Sequence, residues 1–317
     1  PPRSTLFPYT TLFRSLARTQ NDNGSWTSDA GHKVNDEYAV APGGRNVHHV
    51  GVTGLAVLAF LASGHVPGRG PYGGVLDRAV DFLLSRVQHD GFIQADQTRM
   101  YSHAFATLAL AEVYGMSRAP ALRERLQLAV ELTVKGQNEM GGWRYAPFGV
   151  DSDMSVTVCQ LVALRAAMNV GLRVRQSAID RALAYVIQSQ ITAGTAASED
   201  EIGGFWYQPA TTRWNRSSFS LTAAGVTSLF QAGIYDDVAL RRYVSSRGLP
   251  VSGVPSIEKA VEYMERTYPP TARAYPNHYF FYYGNYYAAQ AMYSWGGKQP
   301  ARWARWYDRV RNDLLAR

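Results

Sequence analysis

The chain has 317 residues, 46% hydrophobic, 12% aromatic and 18% charged, with a formal net charge of +7. That composition excludes wholesale disorder, and the single cysteine, Cys159, excludes an intrachain disulfide framework and a multi-cysteine zinc site. Outside the C-terminal segment the positive charge forms no Lys/Arg block, so no nucleic-acid partner is read from it. The longest uncharged apolar run, residues 50–64, is too short to span a bilayer.

Residues 5–15 read TLFPYTTLFRS, a match to the translation of a sequencing-adapter oligonucleotide. Residues 1–15 are therefore expected to be an artefact, residues 16–317 to form one domain, and the natural N-terminus to be missing. From there a unit recurs: a helix ending in Gln, a Gly-aromatic turn, then a second helix of small and apolar residues. The copies run through LARTQNDNGSW with 50–64, RAVDFLLSRVQHDGF with 102–115, AVELTVKGQNEMGGW with 155–171, and RALAYVIQSQ with GGFW and 220–233. A looser fifth copy joins KAVEYM to YYGNYYAAQAMYSWGG. Apolar residues at intervals of three and four in 79–87 and 129–134 predict amphipathic helices, whereas the second helices are apolar almost all round and must be buried on every face. No alternation persists long enough to predict a strand. The reading is all-α, an array of helical hairpins whose apolar members form an inner ring.

Arg181, Ala182, Tyr185, Val186 and Gln190 fit the first half of a known repeat, as do Arg78, Ala79, Phe82, Leu83 and Gln88. Gln20, Gly24 and Trp26 fit its second half, as do Gln137, Gly141 and Trp143, with Phe92 in place of Trp after Gly91. The pattern resembles the QW repeat of squalene–hopene and oxidosqualene cyclases, the prenyltransferase/squalene-oxidase repeat. The resemblance covers about residues 16–317 and implies an α/α toroid of up to six hairpins. Five are found with a C-terminal helix over 300–316, which implies truncation at the N-terminus.

In such a toroid the inner helices are parallel and their N-termini share one mouth. His48, His49, Arg99, His103, Asp151, Asp153, Arg216 to Ser218 and His278 to Tyr283 would stand there. DSDMS (151–155) resembles the acid motif of class II terpene cyclases, with Asp153 on the proton-donating position and Asp151 on the first Asp; Met154 departs from the third. Protonating an alkene needs a neutral carboxyl, although a free Asp titrates at about 3.9. Burial or a second carboxylate would raise that value. The simpler reading of Asp and Ser at a helix start is capping. His49, His103 or His278 could reset the acid's proton. Trp143, Tyr145, Phe205 to Tyr207 with Trp206, Trp214, the run Tyr279 to Tyr283 with Phe281 and Tyr282, and Tyr286 and Tyr287 are candidates for an aromatic wall that stabilises a cation, and more often for ordinary core.

Asp236-Asp237 lacks a second acid at Leu240, which argues against a magnesium–diphosphate site, and Cys159 with Asn285 does not give the zinc set of protein prenyltransferases. Arg99, Arg144 and Arg216 keep a lipid-pyrophosphate reading open. In the C-terminal segment Trp303, Trp306, Tyr307, Val310 and Leu314 share a helix face, read as an outer helix or as an interfacial membrane contact. The resemblance implies an intramolecular transferase or lyase that cyclises an apolar isoprenoid lipid with no metal or organic cofactor. A second toroid domain or a homodimer would complete its site. The alternative is a non-catalytic toroid that binds an apolar ligand or a protein partner.

Overall fold

The computed structural model describes residues 7–34, 37–209, 217–268 and 280–316. The chain divides into two compact units: Pro1–Gln137 with Tyr145–Gly149 and Val162–Gln176, and Asn138–Arg144 with Val150–Leu161 and Ser177–Arg317.

The first unit begins with α1 (Phe7–Arg18), which runs through the adapter-like string. Phe13 is buried there against Phe60, His65 and Tyr72. Two short antiparallel ladders follow, β1 (Thr27–Ser28) with β4 (Val47–His48) and β2 (Gly31–Val34) with β3 (Glu37–Val40). Alternation could not reveal strands of two and four residues. Four helices follow: α2 (Val50–Ala62), α3 (Gly73–Ser85), α4 (Met100–Ser117) and α5 (Pro120–Lys135).

α2 carries no charge and buries Val50, Val57 and Phe60 completely; each such side chain contributes about 1.5–3 kcal/mol. Small residues let α2 and α4 lie in register: a Cβ at Gly51 would stand 2.8 Å from Ser102 Oγ, and one at Gly54 2.8 Å from the Phe105 carbonyl oxygen. The amphipathic α3 packs on α2, and α5 on α4; α3 buries Leu76, Ala79 and Leu83, and α5 buries Leu122, Leu126 and Ala129. α5 starts with Pro120, whose missing N–H costs nothing at a helix N-terminus.

α6 (Met154–Asn169) has residues 154–161 in the second unit and 162–169 in the first. The second unit continues with α7 (Gln176–Gln188), α8 (Phe219–Gln231), α9 (Asp237–Arg247), α10 (Ile257–Thr267), α11 (Phe281–Gly296) and α12 (Pro300–Leu315). α8 and α11 run parallel, tied by Ser220 Oγ to the Phe280 carbonyl (3.2 Å) and Thr227 Oγ1 to the Tyr287 carbonyl (2.8 Å). α12 packs on α11. Arg302 donates to Glu258 and Glu265 at 2.8 and 2.6 Å and lies 4.3 Å over Trp295, while Trp306 and Val310 are buried. Among the described residues no helix is long and apolar enough to cross a membrane.

The Gln-Gly-aromatic turns join each hairpin to the next outer helix. Gly24 (φ +86°) lies on the Arg78 carbonyl and Gly203 (φ +92°) on that of Lys259; a Cβ at either would overlap the oxygen. Gly91 meets Leu128, and Gly141 meets Arg181, in the same way. The next residue along each of these helices is alanine, and all four (Ala79, Ala129, Ala182, Ala260) are fully buried. Gln20 Nε2 donates to the Gly24 and Val75 carbonyls at 3.0 and 2.8 Å and its Oε1 accepts from Arg78. Gln190 exchanges two hydrogen bonds with the Ser256 backbone, at 2.7 and 2.9 Å.

Candidate functional site

Four of the five helix N-termini that the sequence marks as a mouth, those of α2, α4, α6 and α8, are built on one local plan. The turn residue two after the glycine donates its backbone N–H to the side chain four residues past the helix cap. Trp26 donates to Thr53, Trp143 to Thr157 and Phe205 to Thr222, at 3.1, 3.1 and 3.2 Å. In the remaining copy Ile93, not Phe92, holds that position, and its N–H reaches His103 Nδ1 at 3.1 Å. This corrects the sequence register by one residue: the left-handed glycine turns Ile93 inward, where it is fully buried, and leaves Phe92 half-buried.

His103 is fully buried, and its Nε2 lies 2.9 Å from Thr133 Oγ1. With Nδ1 accepting, the neutral ring carries its proton on Nε2. Burial lowers the imidazole pKa to about 4, against the pull of the Ala129 carbonyl and Asp90. His49 caps α2, accepting from Val52 N–H at Nδ1 (3.2 Å), and burial lowers it to about 4 as well. Both rings are thus spent on backbone donors of the first unit. Tyr145 is half-buried there, its ring 6.1 Å from that of Tyr101 and its carbonyl accepting from Met100 N–H at 3.0 Å.

Asp153 stands at the start of α6 with no exposed surface. Its Oδ1 accepts from Ser155 Oγ at 2.5 Å and from Val156 N–H at 2.9 Å, an N-cap bond. Its Oδ2 accepts from Arg144 Nη1 at 2.7 Å. Nη1 also reaches the Tyr207 hydroxyl at 2.8 Å, the guanidinium lies 5.6 Å over the Tyr207 ring, and Arg144 Nε meets Asp151 at 3.2 Å. Arg144 therefore bridges both acids of the motif, with the Asp151 side chain 57% exposed. Burial raises the Asp153 carboxyl above the usual range, opposed by Ser155, the Val156 amide and Arg144.

Around this clasp the second unit gathers hydroxyls and a thiol. Tyr283 OH donates to the Ser155 carbonyl at 3.1 Å, and Cys159 Sγ donates to the same carbonyl and lies 3.2 Å from Tyr287 OH. Burial raises Cys159 to about 12 and carries Tyr283 and Tyr287 well above the ordinary tyrosine value. Tyr286 packs edge-on to Tyr287 at 4.9 Å. Phe281 is buried, Tyr282 is 65% exposed, Trp206 is half-buried and Trp143 is buried in its turn. Arg216, Trp214, His278 and Tyr279 lie outside the described residues.

The structure thus brings Asp153, Asp151 and Tyr207 onto Arg144. It places Tyr286 beside Tyr287, and ties His49 and His103 to backbone donors. Ser155 of the DSDMS motif and Tyr283 and Tyr287 of the aromatic run join the cluster. Asp236 caps α9 through Ala239 N–H, and Asp237 accepts from the Ser256 hydroxyl and Ile257 N–H at the start of α10, so both acids are engaged in helix starts. Among the described residues no group of three or more His, Cys, Asp and Glu could hold a metal.

No protein-family model matches the chain, and no curated protein does. Among solved structures it is similar to Candida albicans protein geranylgeranyltransferase-I complexed with GGPP, with TM-score 0.49 and 13% identity over 81% of this chain and 68% of that one. It is also similar to an alpha-amylase from Clostridium perfringens, with TM-score 0.47 and 11% identity over 76% and 72%. Both scores lie under one half.

Proposed function

We propose that the chain is a non-catalytic α/α-hairpin binding module, in which the cyclase-like DSDMS segment serves as a structural clasp. The state of Asp153 carries this reading: it is buried, caps α6, and both its oxygens accept from donors of the protein itself. An acid that starts a cationic cyclisation must present its proton to an alkene and be reprotonated afterwards. An oxygen already facing an arginine, a hydroxyl or an amide is arranged as an acceptor. Two of the histidines that could have returned a proton, His49 and His103, are engaged by Val52, Ile93 and Thr133, and the third, His278, lies outside the described residues.

One observation favours the second reading, proton-initiated cyclisation of an apolar isoprenoid. Burial raises the Asp153 carboxyl, and Tyr283 and Tyr287 form an aromatic group on the helix next to Ser155. The deciding experiment incubates the full chain and Asp153→Asn with squalene and shorter polyprenes in detergent, and analyses the products by mass spectrometry. The binding-module reading expects no cyclic product from either protein and a lowered unfolding midpoint in the variant. Cyclic hydrocarbon from the wild type, lost in Asp153→Asn, would establish the cyclase instead.

A further inference from the structure

The C-terminal ends of α8 and α11, in the second unit, enclose a groove of about 260 Å3 that shares no residue with the Asp153 cluster. Two tyrosine rings line it. Tyr235 is 51% exposed and lies nearly parallel to Phe230, with centroids 5.7 Å apart and planes at 24°. Tyr293 is 71% exposed and meets Trp303 edge-on at 5.6 Å. Each ring is braced on one side by another aromatic and open to solvent elsewhere. Such rings offer apolar area at little entropic cost.

Apart from Phe230, the rest of the lining is polar and neutral. Gln231 Nε2 donates to Gln290 Oε1 at 3.3 Å, and Gln290 Nε2 donates to the Tyr286 carbonyl at 3.0 Å. Gln290 therefore keeps a second N–H and a second oxygen lone pair, and Ser294 adds a hydroxyl. Among the described residues the lining includes no charged side chain. An anionic ligand would find no counter-charge, and a hydrocarbon would leave the amides and the hydroxyl buried against it without partners. A pyranose ring meets both demands: its C–H face covers an aromatic ring while its hydroxyls give and take hydrogen bonds at the edge.

We infer that this groove binds a neutral pyranose unit of an oligosaccharide or polysaccharide. The inference does not depend on whether the Asp153 clasp is catalytic. The test is affinity electrophoresis of the full chain in native gels containing soluble starch, mixed-linkage β-glucan, xylan or galactomannan, with dextran sulfate as the charged comparison. At least one neutral polymer retards the wild type. Tyr293→Ala and Tyr235→Ala each weaken that retardation about tenfold. Phe148→Ala, which removes an exposed ring of the first unit, leaves it unchanged. The inference is overturned if no neutral polymer retards the chain, if only dextran sulfate does, or if either tyrosine variant behaves as wild type.

Discussion

The starts of α4 and α6 solve one problem with different chemistry. Each must satisfy a buried turn N–H and fix the first helical turn. At α4 the acceptor is His103, standing where the other copies have Thr53, Thr157 and Thr222. At α6 the acceptor is Thr157, and the ionisable group has moved to the cap, where Asp153 binds Val156 N–H and Arg144. Both are buried titratable residues at a predicted mouth, and both are occupied by the fold. A perturbed pKa at a helix start is therefore weak grounds for catalysis until the group's own partners are counted.

The largest effect that sharpens this contrast comes from the α6 side. Arg144→Ala leaves Asp153 buried without its counter-ion and is expected to lose about 3–5 kcal/mol in urea unfolding. A loss under about 1 kcal/mol would contradict the clasp. The α4 side responds to pH. The folded His103 pKa of about 4 lies below the ordinary imidazole value of 6.5, so acidification protonates the unfolded chain first. Stability falls from about pH 6.5 down to about pH 4, by about 3 kcal/mol from this residue alone. His49 titrates in the same window. His103→Thr keeps an acceptor for Ile93 and should flatten part of that acid loss; an unchanged pH profile would sink the assignment. Asp153 works in the opposite sense. Its raised folded value means that the native state binds the proton more readily, so acidification through its titration offsets part of the histidine loss. The smallest effect belongs to Asp151→Asn. With its carboxylate mostly exposed, the change should stay under about 0.5 kcal/mol.

Much of this was legible in the sequence. The apolar stretches became α2, α4, α6, α8 and α11 because a helix without a polar face has to be buried, and Gln20 and Gln190 do tie their turns to the next outer helix. Phe92 misled because aromaticity is visible in a sequence, whereas the positive φ that turns the second residue after Gly91 inward is not. His103 misled for a related reason. Its equivalence to Thr53 appears only when residues are counted from the caps Arg99 and His49, and arginine is not a capping residue type. The partnership of Asp153 with Arg144 joins residues nine positions apart, a spacing that no helical period connects. α9 was missed because its exposed, charged sequence buries only Leu240 and has almost no apolar stripe.

A double-mutant cycle on Arg144 and Asp153 reads the clasp itself, with urea unfolding of the wild type, Arg144→Ala, Asp153→Ala and the double variant. The account predicts that the second substitution costs much less once the first has been made, with a coupling of about 2 kcal/mol or more. Additive losses would mean that the pair does not hold the start of α6, and would return Asp153 to the list of groups free to do chemistry.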